Sequence, residues 1–468
     1  MRRARQLAWV VSLLLLAGCN VGPDYQPLEP ELPATFVEAQ SDVDADLISL
    51  WAAFDDPEVA ALIARARTHN ATVAQAAATM NETRALAGLP VYSLFPTVTA
   101  AASTERVQQS AQDPFGFGSD VAERALAGFD ATWEIDLFGS LRRQSAGIAR
   151  RLEADTAAFY ATQVSVVAET AQAYFEWRGA SLRVDLLARN LQNQADNLEI
   201  LERAFDSGRG SSLDIARARA EERSVAATLP AAEAARSRAE QRLAVLTGQN
   251  VSALRLQLSA PEQMPAMPQL VAVGAPAQWL ARRPDIVAAE RRLAEATMGI
   301  GVQTAELYQK LVLIGDFGWT GARTGALGDD EAERWRFAPG LTWRIFDYGR
   351  IKQRIRQSEA IADRALAVFE QTWREAIEET ENALASYRAT TATVAALQEA
   401  VTQSADAVRL ANQRYDNGAD SVLSVLDSQR TDLSLQDQLA LATTDRATAL
   451  AALYKAMGGS FAAATGDN

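Results

Sequence analysis

A single cysteine and a single histidine stand among the 468 residues. One thiol excludes an internal disulfide, and the pair leaves no His/Cys set with metal-ligand spacing. No phosphate-binding loop and no nucleophile–base constellation appears, so the chain reads as a non-enzyme that needs neither cofactor nor metal. His69 reads as a packing or surface residue near the middle of a helix. Basic residues are outnumbered, giving a formal charge of −14. That balance argues against nucleic acid as a partner. Glycine and proline are not in excess, and 48% apolar content excludes general disorder. From Ile351 to Tyr415 there is no proline or glycine at all.

The chain repeats itself at a shift of 210 positions. Thr132-Trp133 falls on Thr342-Trp343, Gly139 on Gly349, and Glu169-Thr170 on Glu379-Thr380. Asp206 and Gly208 fall on Asp416 and Gly418, and Gly248 on Gly458. One structural unit used twice points to a symmetric assembly rather than one asymmetric pocket.

Residues 1–18 read as a signal peptide: Arg2, Arg3 and Arg5, then the apolar run Leu7 to Leu16. The run is too short to cross a bilayer of roughly 30 Å. Leu16-Ala17-Gly18-Cys19 resembles a bacterial lipobox, which makes Cys19 the lipidation site and the anchor to membrane lipid. Acyl chains there would anchor stably, each buried methylene contributing about 0.8 kcal/mol. Asn20 in the next place resembles the outer-membrane sorting signal. Residues 19–56, with Pro23, Pro27, Pro30 and Pro33, read as an extended strap.

Each repeat combines a strand pair with long helices. The first, 57–248, divides into a helix 57–91, strands 96–108 and 122–138, a long helix 139–205 and a return helix 211–248. A linker, 249–276, follows. The second repeat, 277–458, has a helix 284–308, strands 310–321 and 334–347, a long helix 349–415 and a return helix 421–458. A tail, 459–468, ends the chain. The strands rest on period-two alternation. Phe129, Ala131, Trp133 and Ile135 share one face and Asp130, Thr132 and Glu134 the other. Leu313, Phe317 and Trp319 share a face of the third, and Trp335, Phe337, Leu341 and Trp343 a face of the fourth. Trp335 and Trp343 are eight residues apart, roughly 26 Å along a strand. At a barrel strand's tilt that is roughly 20 Å along the normal, near the height of an outer-membrane apolar band. Trp133, Trp319, Trp335 and Trp343 are therefore candidate membrane-interface aromatics. Four strands cannot close a barrel, and bilayers do not tolerate open edges, so any barrel is shared between copies. Each long helix would run about 100 Å. Val184, Leu191, Leu198 and Phe205, with Leu187 and Leu201, form a heptad seam that Val394, Val401, Val408 and Tyr415 repeat. Gly208 and Gly418 suit helix ends, and Ser211 and Ser421 suit the caps of the returning helices.

Taken together, Cys19 to Tyr25, Trp133 to Gly139, Arg282 to Ile286, Trp343 with Phe346 to Arg350, and Tyr415 to Arg430 resemble the TolC-like outer membrane factors of tripartite efflux systems, in the NodT-type lipoprotein branch. The resemblance spans nearly the whole chain. It implies a mainly α fold with a small β part. The assembly implied is a homotrimer, with a 12-stranded β-barrel in the bacterial outer membrane on a 12-helix periplasmic α-barrel. It also implies two partners, a periplasmic adaptor and an inner-membrane RND-type transporter. The function implied is an exit channel that passively conducts drugs or other small molecules. Two other readings stay open: the exit of a type I protein secretion system, and a lipid-anchored scaffold without a pore.

The resemblance also locates sites. The family's gate leucine and aspartate match Leu423 and Asp427, one helical turn apart. Repeat one has Leu213 and Arg217 there, and Arg217 is placed to pair with Asp427 or Asp420. The tips, with Gly208, Arg209, Gly210, Gly418, Ala419 and Asp420, are the implied adaptor contacts. Two departures stand out. Gln309-Lys310 replaces a usual proline at the second helix-to-strand turn, which predicts a less sharply bent turn. Arg344 replaces another after Trp343, which predicts a cation towards the barrel interior or its base.

Overall fold

The computed structural model describes residues 20–28, 56–108, 110, 121–208, 210–267 and 282–459. The signal peptide, Cys19, most of the strap, Arg209, linker residues 268–276 and the tail beyond Gly459 lie outside the described residues. Two compact units divide the chain.

The first unit takes residues up to 29, 79–156 and 288–370. Its centre is an antiparallel sheet in the order β1-β2-β3-β4, with β1 Thr97–Gln108, β2 Val121–Ile135, β3 Lys310–Gly321 and β4 Glu333–Thr342. The two strand pairs are therefore continuous, β2 pairing with β3 through Phe129 opposite Phe317. Alternation continues in the sequence past both strand ends, but the chain turns earlier than the expected 138 and 347. Asp136 leaves β2 because its carboxylate accepts the Arg142 N–H at 3.0 Å, fixing the start of α3, Ser140–Asp206. After β4 a 3₁₀ turn, Ile345–Asp347, leads into α7, Tyr348–Asp416.

The second unit takes 30–78, 157–287 and 371 onward. It holds α1 Pro57–His69, α4 Ser212–Thr247, the short α5 Val251–Arg255, α8 Val422–Ala456 and much of the long helices. Its core gathers Tyr174, Phe175, Leu243, Leu450 and Leu453, all buried. The expected single helix 57–91 is two, because Asn70 ends α1 and opens α2, Ala71–Ser93. The Asn70 side chain accepts from Thr72 and Val73 and donates to the Leu246 carbonyl at 3.0 Å. His69 is thus the last residue of α1 rather than a mid-helix one. The second repeat solves the same problem differently. Arg283, before α6 Pro284–Ala305, donates to the Ala456 carbonyl and pairs with Asp285 and Glu379 at 2.7 Å. Leu246 and Ala456 are 210 apart. Two different side chains therefore close equivalent helix ends.

Gly179 of α3 lies against Thr444 of α8. A Cβ there would lie 2.9 Å from the Thr444 Cβ. Gly179→Ala is expected to lower stability by about 1–3 kcal/mol through overpacking. Thermal loss of the helical circular-dichroism signal measures it, and adding Thr444→Ala should restore most of the loss.

Candidate functional site

Two regions carry the residues that the sequence marks. The first is the sheet. On one face Phe129, Phe317 and Trp335 stand side by side across β2, β3 and β4. They are 53%, 45% and 74% exposed. Phe337, Leu341 and Trp343 add to the same face and are exposed as well. In a water-soluble sandwich this face would be buried; here nothing among the described residues covers it. The opposite face carries Asp130, Glu134, Lys310, Asp316, Arg334 and Arg336. Apolar out and polar in is the pattern of a strand between lipid and water. Both edges, β1 and β4, lack a partner strand among the described residues. No described helix is long and apolar enough to cross a membrane.

The base of the sheet is fastened twice in the same way. Trp133 Nε1 donates to the Leu94 carbonyl at 2.9 Å, and Trp343 Nε1 to the Leu307 carbonyl at 3.1 Å. Both helix-to-strand turns are therefore closed by an indole, although only the first has its proline. The two departures in repeat two meet each other. Glu306 pairs with Lys310 at 2.5 Å and with Arg344 at 3.2 Å, and Lys310 lies 3.9 Å from Glu134. Arg344 thus enters a four-membered ion chain at the strand base. Trp319 packs edge-on against Phe317 on the apolar face.

Residues 20–25 dock on α3 and α6. Arg143 donates to the carbonyls of Gly22 and Pro23 and pairs with Asp24 at 2.7 Å. Tyr25 donates to Glu290, and burial pushes its phenol up to about 12. Gly22 passes so close to Gly301 that a Cβ would come within 2.5 Å of its Cα. The sequence shows Gly22 and Pro23 but not the glycine notch that receives them.

The second region is the pair of tips. Gly208 and Gly418 have φ of 73° and 69° and end the long helices in the left-handed conformation that glycine allows. The turns differ beyond that. Ser211 accepts from the Leu213 N–H at 3.1 Å, as the sequence predicts. Ser421 makes no such bond; Asp420 replaces it, accepting from Ser421 N–H at 2.8 Å and the Ser424 hydroxyl at 2.7 Å, with Arg414 at 3.2 Å. Gly210, at the equivalent place, has no room for a side chain, since a Cβ would sit 2.7 Å from Phe205 N. The Ser424 and Ser421 bonds, then Arg414, hold the Asp420 carboxyl below the ordinary carboxylate range. Its contribution is present above the unfolded value and is lost as pH falls through the lowered one. Asp420→Ala is expected to speed amide hydrogen exchange at 417–424 at neutral pH while leaving 207–214 unchanged.

Leu423 and Leu213 are 46% and 54% exposed, so neither is a core leucine within the chain. Asp427 is exposed and pairs with Arg430 at 2.6 Å. The expected Arg217 pairing is not made within the chain. Arg217 lies 4.0 Å from Asp214 one turn away, and both anticipated acids are engaged by other arginines.

Comparison with known proteins decides what these features belong to. The family model described as outer membrane efflux protein matches residues 62–249 and 275–459. The chain belongs to that family. The two matched stretches end 210 residues apart, the spacing of the repeat. Outer membrane protein OprJ of Pseudomonas aeruginosa is 31% identical, over 97% of this chain and 96% of its own. Nodulation protein T of Rhizobium leguminosarum bv. trifolii is 29% identical, over 96% of each. The outer-membrane channel OprN superposes with a TM-score of 0.85 at 34% identity, over 94% of this chain and 99% of its own. This outer membrane efflux protein is therefore a channel component of the outer membrane and comes from no enzyme family. The mainly α fold with a small β part agrees with that assignment, and so does the exit-channel function in efflux.

Proposed function

We propose that three copies join their sheets edge to edge into a 12-stranded barrel and their helices into a periplasmic tunnel. Through this duct small molecules leave passively, delivered by a periplasmic adaptor and an inner-membrane RND-type transporter. One observation carries the reading: a sheet with an exposed aromatic face, a charged opposite face and two edges unpaired among the described residues. Joining copies removes the edges and turns the aromatic face to lipid. Unheated electrophoresis and liposome leakage test it. The protein should migrate as a heat-labile oligomer and release a small dye, and a soluble monomer that releases nothing would refute the duct.

Cys19 carries the lipid in this reading. Metabolically supplied palmitate should label the parent protein and not Cys19→Ala. Leu423 and Asp427 form the periplasmic closure, three apolar side chains above three carboxylates, which blocks ions by dewetting and favours cations. Their exposure in the single chain supports roles outside its own core. The tips around Gly208–Gly210 and Gly418–Asp420 meet the adaptor. Cysteines at Arg209 and Ala419 should crosslink to it.

A further inference from the structure

The charged face of the sheet holds a cluster that neither the repeat nor the gate explains. Arg336, Asp316 and Asp130 lie in one row across β4, β3 and β2. Arg334, Gly318 and Gly128 form the next row. The Asp316 carboxylate is almost fully covered, bonded by Arg334 on one oxygen and by Arg336 Nε at 2.6 Å on the other. Asp130 stands beside it, exposed. The two glycines bring the strands together, since a Cβ on Gly318 would meet the Gly128 Cα at 2.5 Å. They leave a bare floor beside which Arg334 is held, its Nε buried without a partner. Ionisable groups within a membrane-spanning segment are costly unless they line water or serve transport. A stability role alone would need the buried pair, not the exposed Asp130 and the mostly exposed Arg336.

We infer that Asp130, Asp316, Arg334 and Arg336 are the charge filter of the strand region. The cluster is repeated in each copy midway along the strands, and it sets the preference of the exit for anionic or cationic solutes. The inference rests on the duct reading above. The four-residue cluster is balanced, two carboxylates against two guanidinium groups, so removing either sign unbalances the wall in a known direction. Asp130→Asn leaves the arginines in excess and favours anions. Arg336→Gln leaves the carboxylates in excess and favours cations. Asp316→Asn uncovers both arginines and moves furthest towards anions. At about 10 Å in water one unit charge changes local ion occupancy about twofold.

The test is the reversal potential of a potassium chloride gradient across planar bilayers. It uses oligomers verified by unheated electrophoresis, at low salt where screening extends about 10 Å. All variants carry Leu423→Ala with Asp427→Ala, so that the tip does not mask the strand region. The expected result is permeability-ratio shifts of about twofold or more, opposite in sign for Asp130→Asn and Arg336→Gln. Open channels with the parent's ratio in both variants would overturn the filter and leave the duct standing. No conductance in any variant would overturn the duct, and the filter with it. Because Asp130 and Arg336 are exposed, both variants should assemble even if Asp316→Asn does not.

Discussion

Arginine in place of Phe317 is expected to abolish the assembled channel. Phe317 sits centrally on β3, between Phe129 and Trp335 on the neighbouring strands. An arginine facing lipid at mid-membrane costs about 2–4 kcal/mol, hence about 6–12 kcal/mol over three copies. That is comparable to the whole stability of an ordinary domain. The control is Ile314→Arg, three residues away on the other face. There the guanidinium meets water, and assembly should survive. The measurement is the oligomer fraction in extracted outer membranes. If Phe317→Arg assembled as well as Ile314→Arg, the aromatic face would not be the lipid face.

The second large effect concerns the tip. Leu423→Ala with Asp427→Ala removes three apolar side chains and three carboxylates from the proposed closure. Resting conductance in planar bilayers should rise about tenfold or more, which needs only about 1.4 kcal/mol of lost barrier. Cells carrying the variant should admit large antibiotics that the parent excludes. Arg217→Ala separates two versions of the closure. Within the chain Arg217 lies 4.0 Å from Asp214 and pairs with neither Asp427 nor Asp420, so in the proposed closure its partner would be an acid on another copy. Conductance equal to the parent's in Arg217→Ala would confine the gate to the second repeat.

How far the sequence carried these conclusions differs by element. The long helices were readable because nothing in Ile351–Tyr415 breaks them and the seam recurs at the same shift. The strands were readable from alternation, but their ends were not. Ile135 and Thr342 are followed by residues that continue the pattern, and the turn is decided by Asp136 and the 3₁₀ segment. The break at Asn70 carries no proline or glycine. It depends on a carbonyl 176 residues away, to which no local signal points. The caps of the returning helices were half readable. A serine stands before each, yet only Ser211 bonds, because Asp420 takes over where the second turn has room. The ion clusters around Asp316 and Glu306 were not readable. The Asp316 cluster draws on two strands, and the Glu306 cluster joins two turns to β2 and β3, so the register is needed to assemble them, although Glu306 and Lys310 are only four residues apart. Gln309 and Arg344 looked like independent departures from the family pattern. The structure joins the second to the first's neighbour, Lys310, through Glu306.

Cysteine scanning along β3 tests the lipid-facing sheet most directly. It is done in intact cells, where native Cys19 is expected to be blocked by lipid. Single cysteines at Leu311, Leu313, Gly315, Phe317 and Trp319 should resist a charged thiol reagent and take up an apolar one. Those at Val312, Ile314 and Asp316 should do the reverse, so reactivity should change sides at every residue from 311 to 317. Equal labelling of both series by the charged reagent would mean that water bathes both faces, and the barrel would be excluded.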